Sequence, residues 1–297
     1  MAGNSISSRS CLSVLLLLTF YVSAVSQEPG ISQQNEKSGD NEPIHSFYGG
    51  VTYGNNMIYL GTNLSEDKPF YSGTLIYGYK NKVFLSASAS HLTAFDPLVS
   101  FSSVAGTFTH NLNSWFDVSG GVSGFLVNKN LTDTLFSNFV YGNISLGLDW
   151  RILYTNISAG GVLSESGSFY LNIKNSRYFE TPSFMKGKAY FSFEPYVNLM
   201  FGKLTKTTTS EGTFIGVSAP FKPSRQSGQH SSGTSVITTT YFSVIEADFG
   251  LPVTFNAGNF SLEVEPGYVL PAYNTSSSDV QSPEGFTLLV TLFYRIF

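Results

Sequence analysis

From residue 46 to its end the chain is a succession of segments about ten residues long in which apolar and polar side chains alternate, each closed by turn-forming residues. A period of two puts successive side chains on opposite faces, so each segment reads as a strand with one apolar and one polar side. Twelve such segments are read, at 47–63, 70–79, 83–92, 98–110, 115–126, 138–150, 152–163, 168–178, 188–205, 236–255, 259–270 and 286–297. Tight connections, such as Lys80-Asn81-Lys82 and Ala257-Gly258, alternate with longer polar ones, such as 128–137 and the Ser/Thr/Gly-rich 207–235. An even strand number then leaves both termini at the end that carries the short turns.

The strongest alternation decides what the apolar faces meet. In 259–270 the even positions are Phe260, Leu262, Val264, Pro266, Tyr268 and Leu270, whereas Ser261, Glu263, Glu265 and Gly267 share the other face. In 236–255 the odd positions Ile237, Tyr241, Ile245, Phe249, Leu251, Val253 and Phe255 are apolar, and Glu246 and Asp248 lie opposite them. A two-residue turn at Ala257-Gly258 would pair Phe255 with Phe260 and Leu251 with Val264, so that both apolar faces coincide. In 188–205 the odd positions from Ala189 to Phe201 sort against Tyr190, Ser192, Glu194, Tyr196 and Asn198. A soluble sandwich would need many charges on its outer face, but charged residues make up 12% of this chain, about half of the ~25% usual in soluble domains. Apolar outside and polar inside is the pattern of a strand barrel in a bilayer. After residue 26 no window approaches the ~20 apolar residues of a membrane-spanning helix. The expected fold is all-β: a transmembrane antiparallel up-and-down β-barrel of about twelve strands.

The first 26 residues read as a secretory signal peptide, with Arg9, an apolar run at 12–20 and small residues at Ala24-Val25-Ser26. Residues 27–45 read as a short disordered arm and 46–297 as the barrel. The single cysteine, Cys11, precedes the apolar run and is unsuited to lipid anchoring; the chain beyond residue 26 has none, so no disulfide framework is expected. With 16 Lys and Arg against 20 Asp and Glu, there is no basic footprint for nucleic acid.

Little in the chain points to chemistry. The histidines, His45, His91, His110 and His230, are not spaced as a metal site, and neither metal nor cofactor is expected. His230 and Ser232 have the spacing of a base and nucleophile, but they sit in a Ser/Gly-rich loop without an acidic group to orient the ring, so the chain reads as not an enzyme. The inward carboxylates stand out more. Glu246, Asp248, Glu263 and Glu265 come from adjacent strands, the expected register setting Asp248 against Gly267 and Glu265 against Gly250. Glu194 and Asp117 are also expected to face inward, as is Asp149, against the lumen-lining Lys174 and Lys188, with Arg295 as a further candidate. An acidic lumen favours cations; equally, the acids could pair with inward Lys, Arg and Tyr to fill a narrow barrel. Glu194-Pro195 and Glu265-Pro266 each put an inward Glu before an outward Pro, which suggests bulges or kinks there.

A signal peptide, cysteine-free strands and a last segment GFTLLVTLFYRIF ending on Phe297 together resemble the bacterial outer-membrane β-barrels. The resemblance implies secretion across the inner membrane of a Gram-negative bacterium, outer-membrane lipid around the barrel, and Phe297 as a signal read by the barrel-assembly machinery. Counting back from Phe297 gives Arg295, Phe293 and Thr291, whereas the more apolar face is the even one from Phe286 to Ile296, so either a bulge ends the strand or Arg295 snorkels. The expected function is a porin-like passive channel for small solutes. The alternatives are a closed barrel serving structure or surface interaction, and a lipid-modifying barrel that would use His230 and Ser232.

Overall fold

The computed structural model describes residues 44–163, 167–209, 212–217, 237–272 and 284–297. Its strands are β1 (His45–Gly54), β2 (Ile58–Tyr59), β3 (Thr62–Asn63), β4 (Phe70–Tyr79), β5 (Val83–Leu92), β6 (Phe101–Asn111), β7 (Phe116–Val127), β8 (Phe139–Asp149), β9 (Tyr154–Val162), β10 (Phe169–Ser176), β11 (Phe179–Glu180), β12 (Ala189–Phe193), β13 (Tyr196–Thr209), β14 (Gly212–Val217), β15 (Ile237–Gly250), β16 (Val253–Ala257), β17 (Phe260–Pro271) and β18 (Gly285–Arg295). Three wall strands are interrupted, so β10 with β11, β12 with β13 and β15 with β16 each act as one. The wall then has twelve antiparallel strands, and β18 pairs with both β17 and β1 to close it. Closure pairs every wall edge, as a strand structure in hydrocarbon requires. His45 and Phe297 lie at the same end, with the short turns.

Two of the three interruptions fall at prolines. Pro195 separates β12 from β13 and Pro252 separates β15 from β16, while β17 changes partner from β16 to β15 around Pro266. A proline cannot donate to the ladder. Irregular bonds bridge the gap instead: Arg177 N donates to Pro195 O (3.2 Å), Glu194 N to Pro252 O (3.1 Å) and Leu251 N to Pro266 O (3.0 Å). The kinks anticipated beside Glu194 and Glu265 are thus one belt across adjacent strands.

Face assignments hold through β12, β13, β16 and β17, where odd and even positions sort as the alternation requires. Two register details are corrected. The hairpin turn is Gly258-Asn259, so Ala257 pairs with Phe260 and Phe255 with Leu262. Gly258 has φ 61, and a II′ hairpin reserves its first central position for glycine. The shift is two residues, which preserves both faces, but it sets Asp248 opposite Val269 and Gly250 opposite Gly267. In β15 the ladder to β13 slips between Met200 and Phe201, leaving Ile245 as an extra residue. This bulge reverses the parity: Ile245, expected on the outer face, is fully buried inside, and Phe242 is exposed. In β18 the pairing with β1 runs unshifted to Arg295, with Thr291 and Phe293 inside and Tyr294 exposed.

The outer surface is an apolar band, with Val51, Leu75, Leu85, Val104, Val122 and Ile144 all more than half exposed. Exposed aromatic residues mark both rims: Tyr71, Phe169, Phe242 and Phe286 towards the long loops, and Tyr79, Trp115, Trp150 and Tyr294 towards the short turns. Inside, hydroxyl pairs such as Ser88 with Ser103 (2.8 Å), Ser119 with Ser145 (2.7 Å) and Thr52 with Thr291 (3.0 Å) line one side.

Candidate functional site: a plugged, acidic lumen

The segment 47–63, expected as one strand, is corrected: β1 ends at Gly54 and the chain turns into the barrel. Seventeen residues exceed the ~9 to 11 that a spanning strand needs, and the surplus forms a hairpin of β2 and β3 inside the long-loop end. Its turn residues Leu60 and Gly61 have φ 47 and 75, as the type I′ geometry demands. Asn55 ties its root to β18, donating to Phe286 O (3.0 Å) and accepting from Leu288 N (2.7 Å). Asp67 accepts from both Asn56 (3.0 Å) and Asn63 (2.7 Å), and Ser65 bonds Asn56 (2.7 Å), so the hairpin carries its own polar scaffold.

Met57, Tyr59, Leu60 and Leu64 of the hairpin are buried against Phe70, Leu92, Phe125, Met200, Leu204 and Ile245 of the wall. The connection 128–137, read as one of the longer polar ones, adds Leu131, Leu135 and Phe136 to the same cluster. The outer half of the lumen is therefore filled by an apolar plug. One trace of it was present in the sequence: Met200 and Leu204 are apolar on the face of β13 that is otherwise polar.

Beneath the plug lie the carboxylates. Glu194, Glu246, Asp248 and Glu263 are buried inside the wall formed by β12, β13, β15 and β17, with Glu265 partly so, on the polar face where the alternation places them. They form two groups. Glu194, Glu263 and Glu265 lie at the proline belt around a common neighbour, Lys174, whose Nζ stands 4.2 Å from the centroid of the Tyr196 ring. Tyr196 donates to Glu265 (2.7 Å), Thr254 to Glu263 (2.8 Å) and Ser176 to Glu194 (2.9 Å). Nearer the plug, Glu246 neighbours Asp248, Asn198 donates to Asp248 (2.9 Å), and the backbone N–H of Gly61 donates to Glu246. One oxygen on each of Glu194, Glu246 and Glu263 is buried without a hydrogen-bond partner among the described residues.

Other expected members are elsewhere. Asp117 is buried but sits apart on β7, where the Tyr154 hydroxyl donates to its carboxylate (3.0 Å). Asp149 pairs with Arg177 (3.7 Å) near the short turns. Lys188, expected in the lumen, is corrected: it is exposed in the turn before β12, because that strand enters the wall only at Ala189. Arg295 is half-buried at the short-turn end. The Phe297 ring stacks on Phe47 (5.8 Å between centroids). Among the described residues no group of His, Cys, Asp and Glu is arranged to hold a metal ion. His230 and Ser232 lie outside the described residues.

A closed antiparallel barrel with an apolar outer band, aromatic rims and a polar interior is the architecture of the outer-membrane β-barrel proteins, and this chain has that fold. No family model matches the sequence, and no curated protein matches it. Among solved structures, LpxR from Salmonella typhimurium is similar in fold with a TM-score of 0.48 and 8% identity, covering 83% of this chain and 99% of that one. An outer membrane channel from Pseudomonas putida F1 has a TM-score of 0.42 and 11% identity, covering 89% and 100%. LpxR is an enzyme of the outer membrane, which corrects the expectation that this chain is not one: the exclusion is withdrawn, and no activity is assigned in its place.

Proposed function

We propose that the barrel is a passive channel for small solutes that prefers cations. The observation that supports this reading is the charge of its interior: five carboxylates converge on one wall beneath the plug, with Lys174 as their buried cation. In a water-filled lumen with apolar walls, that excess would raise the local concentration of cations and repel anions. The Phe297 end, stacked on Phe47, would serve as the signal for the assembly machinery.

The test is reconstitution in planar bilayers, with the wild type compared with a quadruple variant, Glu246→Gln, Asp248→Asn, Glu263→Gln and Glu265→Gln. Cation preference should be strongest at low salt, where the Debye length reaches ~30 Å at 0.01 M, and should fall in the variant. A folded variant with unchanged ion preference refutes the role of these charges. The filled outer mouth supports a second reading, a closed barrel that acts through its long loops; a wild type and a plug-shortened barrel that both fail to conduct would favour it.

A further inference from the structure

We propose that the hairpin 55–67 is a gate latched on Glu246, closing the lumen at its long-loop end and opening it when the latch is released. This rests on the channel reading above. The hairpin is built to move as one piece. Asp67, Asn63, Asn56 and Ser65 satisfy one another within it, as does the Leu64 N–H donating to Met57 O (2.8 Å). Its two ends have distinct mechanics. Asn55 is fastened to β18 by its backbone N–H (3.1 Å to Leu288 O) as well as by its side chain, whereas Glu66 and Asp67 both have positive φ (53 and 57) before the chain re-enters the wall at β4. The second end is a reversal of the kind that absorbs large changes in backbone angle.

The seat is as specific as the gate. Met57, Tyr59, Leu60 and Leu64 rest on apolar wall residues, contacts that hold without fixing a direction. At the tip, the Gly61 N–H donates to Glu246, a directional bond that does fix one. The bulge in β15 creates this combination. It turns Ile245 inward beside Glu246, so an apolar cushion and a carboxylate stand side by side under the hairpin tip. Without the bulge, Ile245 would face outward. The second Glu246 oxygen lacks a hydrogen-bond partner among the described residues, and Asp248 is the adjacent acid.

A short bis-maleimide with a cleavable disulfide tests the gate. It would join Tyr59→Cys to Phe125→Cys in a Cys11→Ser background; the native rings lie 5.8 Å apart between hairpin and wall. Conductance in planar bilayers should be lost on cross-linking and recovered on cleavage. Glu246→Leu, which removes the acceptor, should raise the open probability about fivefold, the factor that corresponds to a net hydrogen bond of ~1 kcal/mol. Replacing 57–64 with Gly-Ser-Gly-Ser should hold the channel open. Unchanged conductance on cross-linking overturns the gate and leaves the channel reading standing. A shortened barrel that shows a folded band in unheated gels and yet fails to conduct overturns the channel reading, and the gate with it. Should the shortened chain fail to fold, the cross-link still decides.

Discussion

Gly250→Ala is the substitution whose outcome the structure constrains most tightly. Gly250 faces the lumen opposite Gly267, and a Cβ built on it falls on the Tyr196 ring. That ring cannot simply step aside: its hydroxyl donates to Glu265 (2.7 Å) and its face carries the Lys174 ammonium (4.2 Å to the centroid). If the ring holds, overpacking costs ~1 to 3 kcal/mol. If it moves, the bond to a carboxylate is lost, which costs ~1.5 to 3 kcal/mol. The barrel takes the cheaper route, so either way the expected destabilisation is about 1 to 3 kcal/mol. In a Tyr196→Ala background the obstruction is gone, and Gly250→Ala should stabilise the strand by ~0.5 kcal/mol, since an alanine loses less backbone entropy than a glycine. The effect therefore changes sign. Urea unfolding of the four proteins in vesicles, followed by the fluorescence of Trp115 and Trp150, measures the cycle. If Gly250→Ala has the same effect in both backgrounds to within ~0.5 kcal/mol, Tyr196 does not fill that space and the inner packing described at the proline belt is wrong.

Leu251, the next residue, is exposed on the apolar band, and Leu251→Arg should cost about 2 to 4 kcal/mol in the same unfolding assay if it lies near the bilayer midplane. Equal tolerance of arginine and serine there would place the side chain in water and reverse the assigned face. Tyr154→Phe removes the hydroxyl that donates to buried Asp117 and should destabilise the barrel by ~1.5 to 3 kcal/mol. A change below about 0.5 kcal/mol would show that water replaces the hydroxyl at that end of the lumen.

The parts of this structure that were legible in the sequence share one cause. Alternation with a period of two is a local property, and a bilayer outside with polar groups inside leaves no freedom about which face is which. Hence β4 and β5 end where their hydropathy says they should, at 70–79 and 83–92, and Glu194, Glu246, Asp248, Glu263 and Glu265 all fall on the inner side. The same rule is blind to a bulge at an apolar residue. Ile245 suits the outer band or the inner cluster equally well, so nothing in its hydropathy marks the slip that turns it inward. It is equally blind to a register shift of two residues, which leaves both faces intact, and only the positive φ of Gly258 settles the turn.

By itself, then, the sequence determined the number of strands, the sidedness of nearly all of them and the acidic character of the interior, because each follows from side chains within a few residues of one another. What fills the interior was decided only in three dimensions. Met57, Tyr59 and Leu60 come to lie against Phe125, Met200 and Ile245 because closing a twelve-stranded wall leaves a space wide enough to admit a hairpin, and those residues share no local pattern that would announce it.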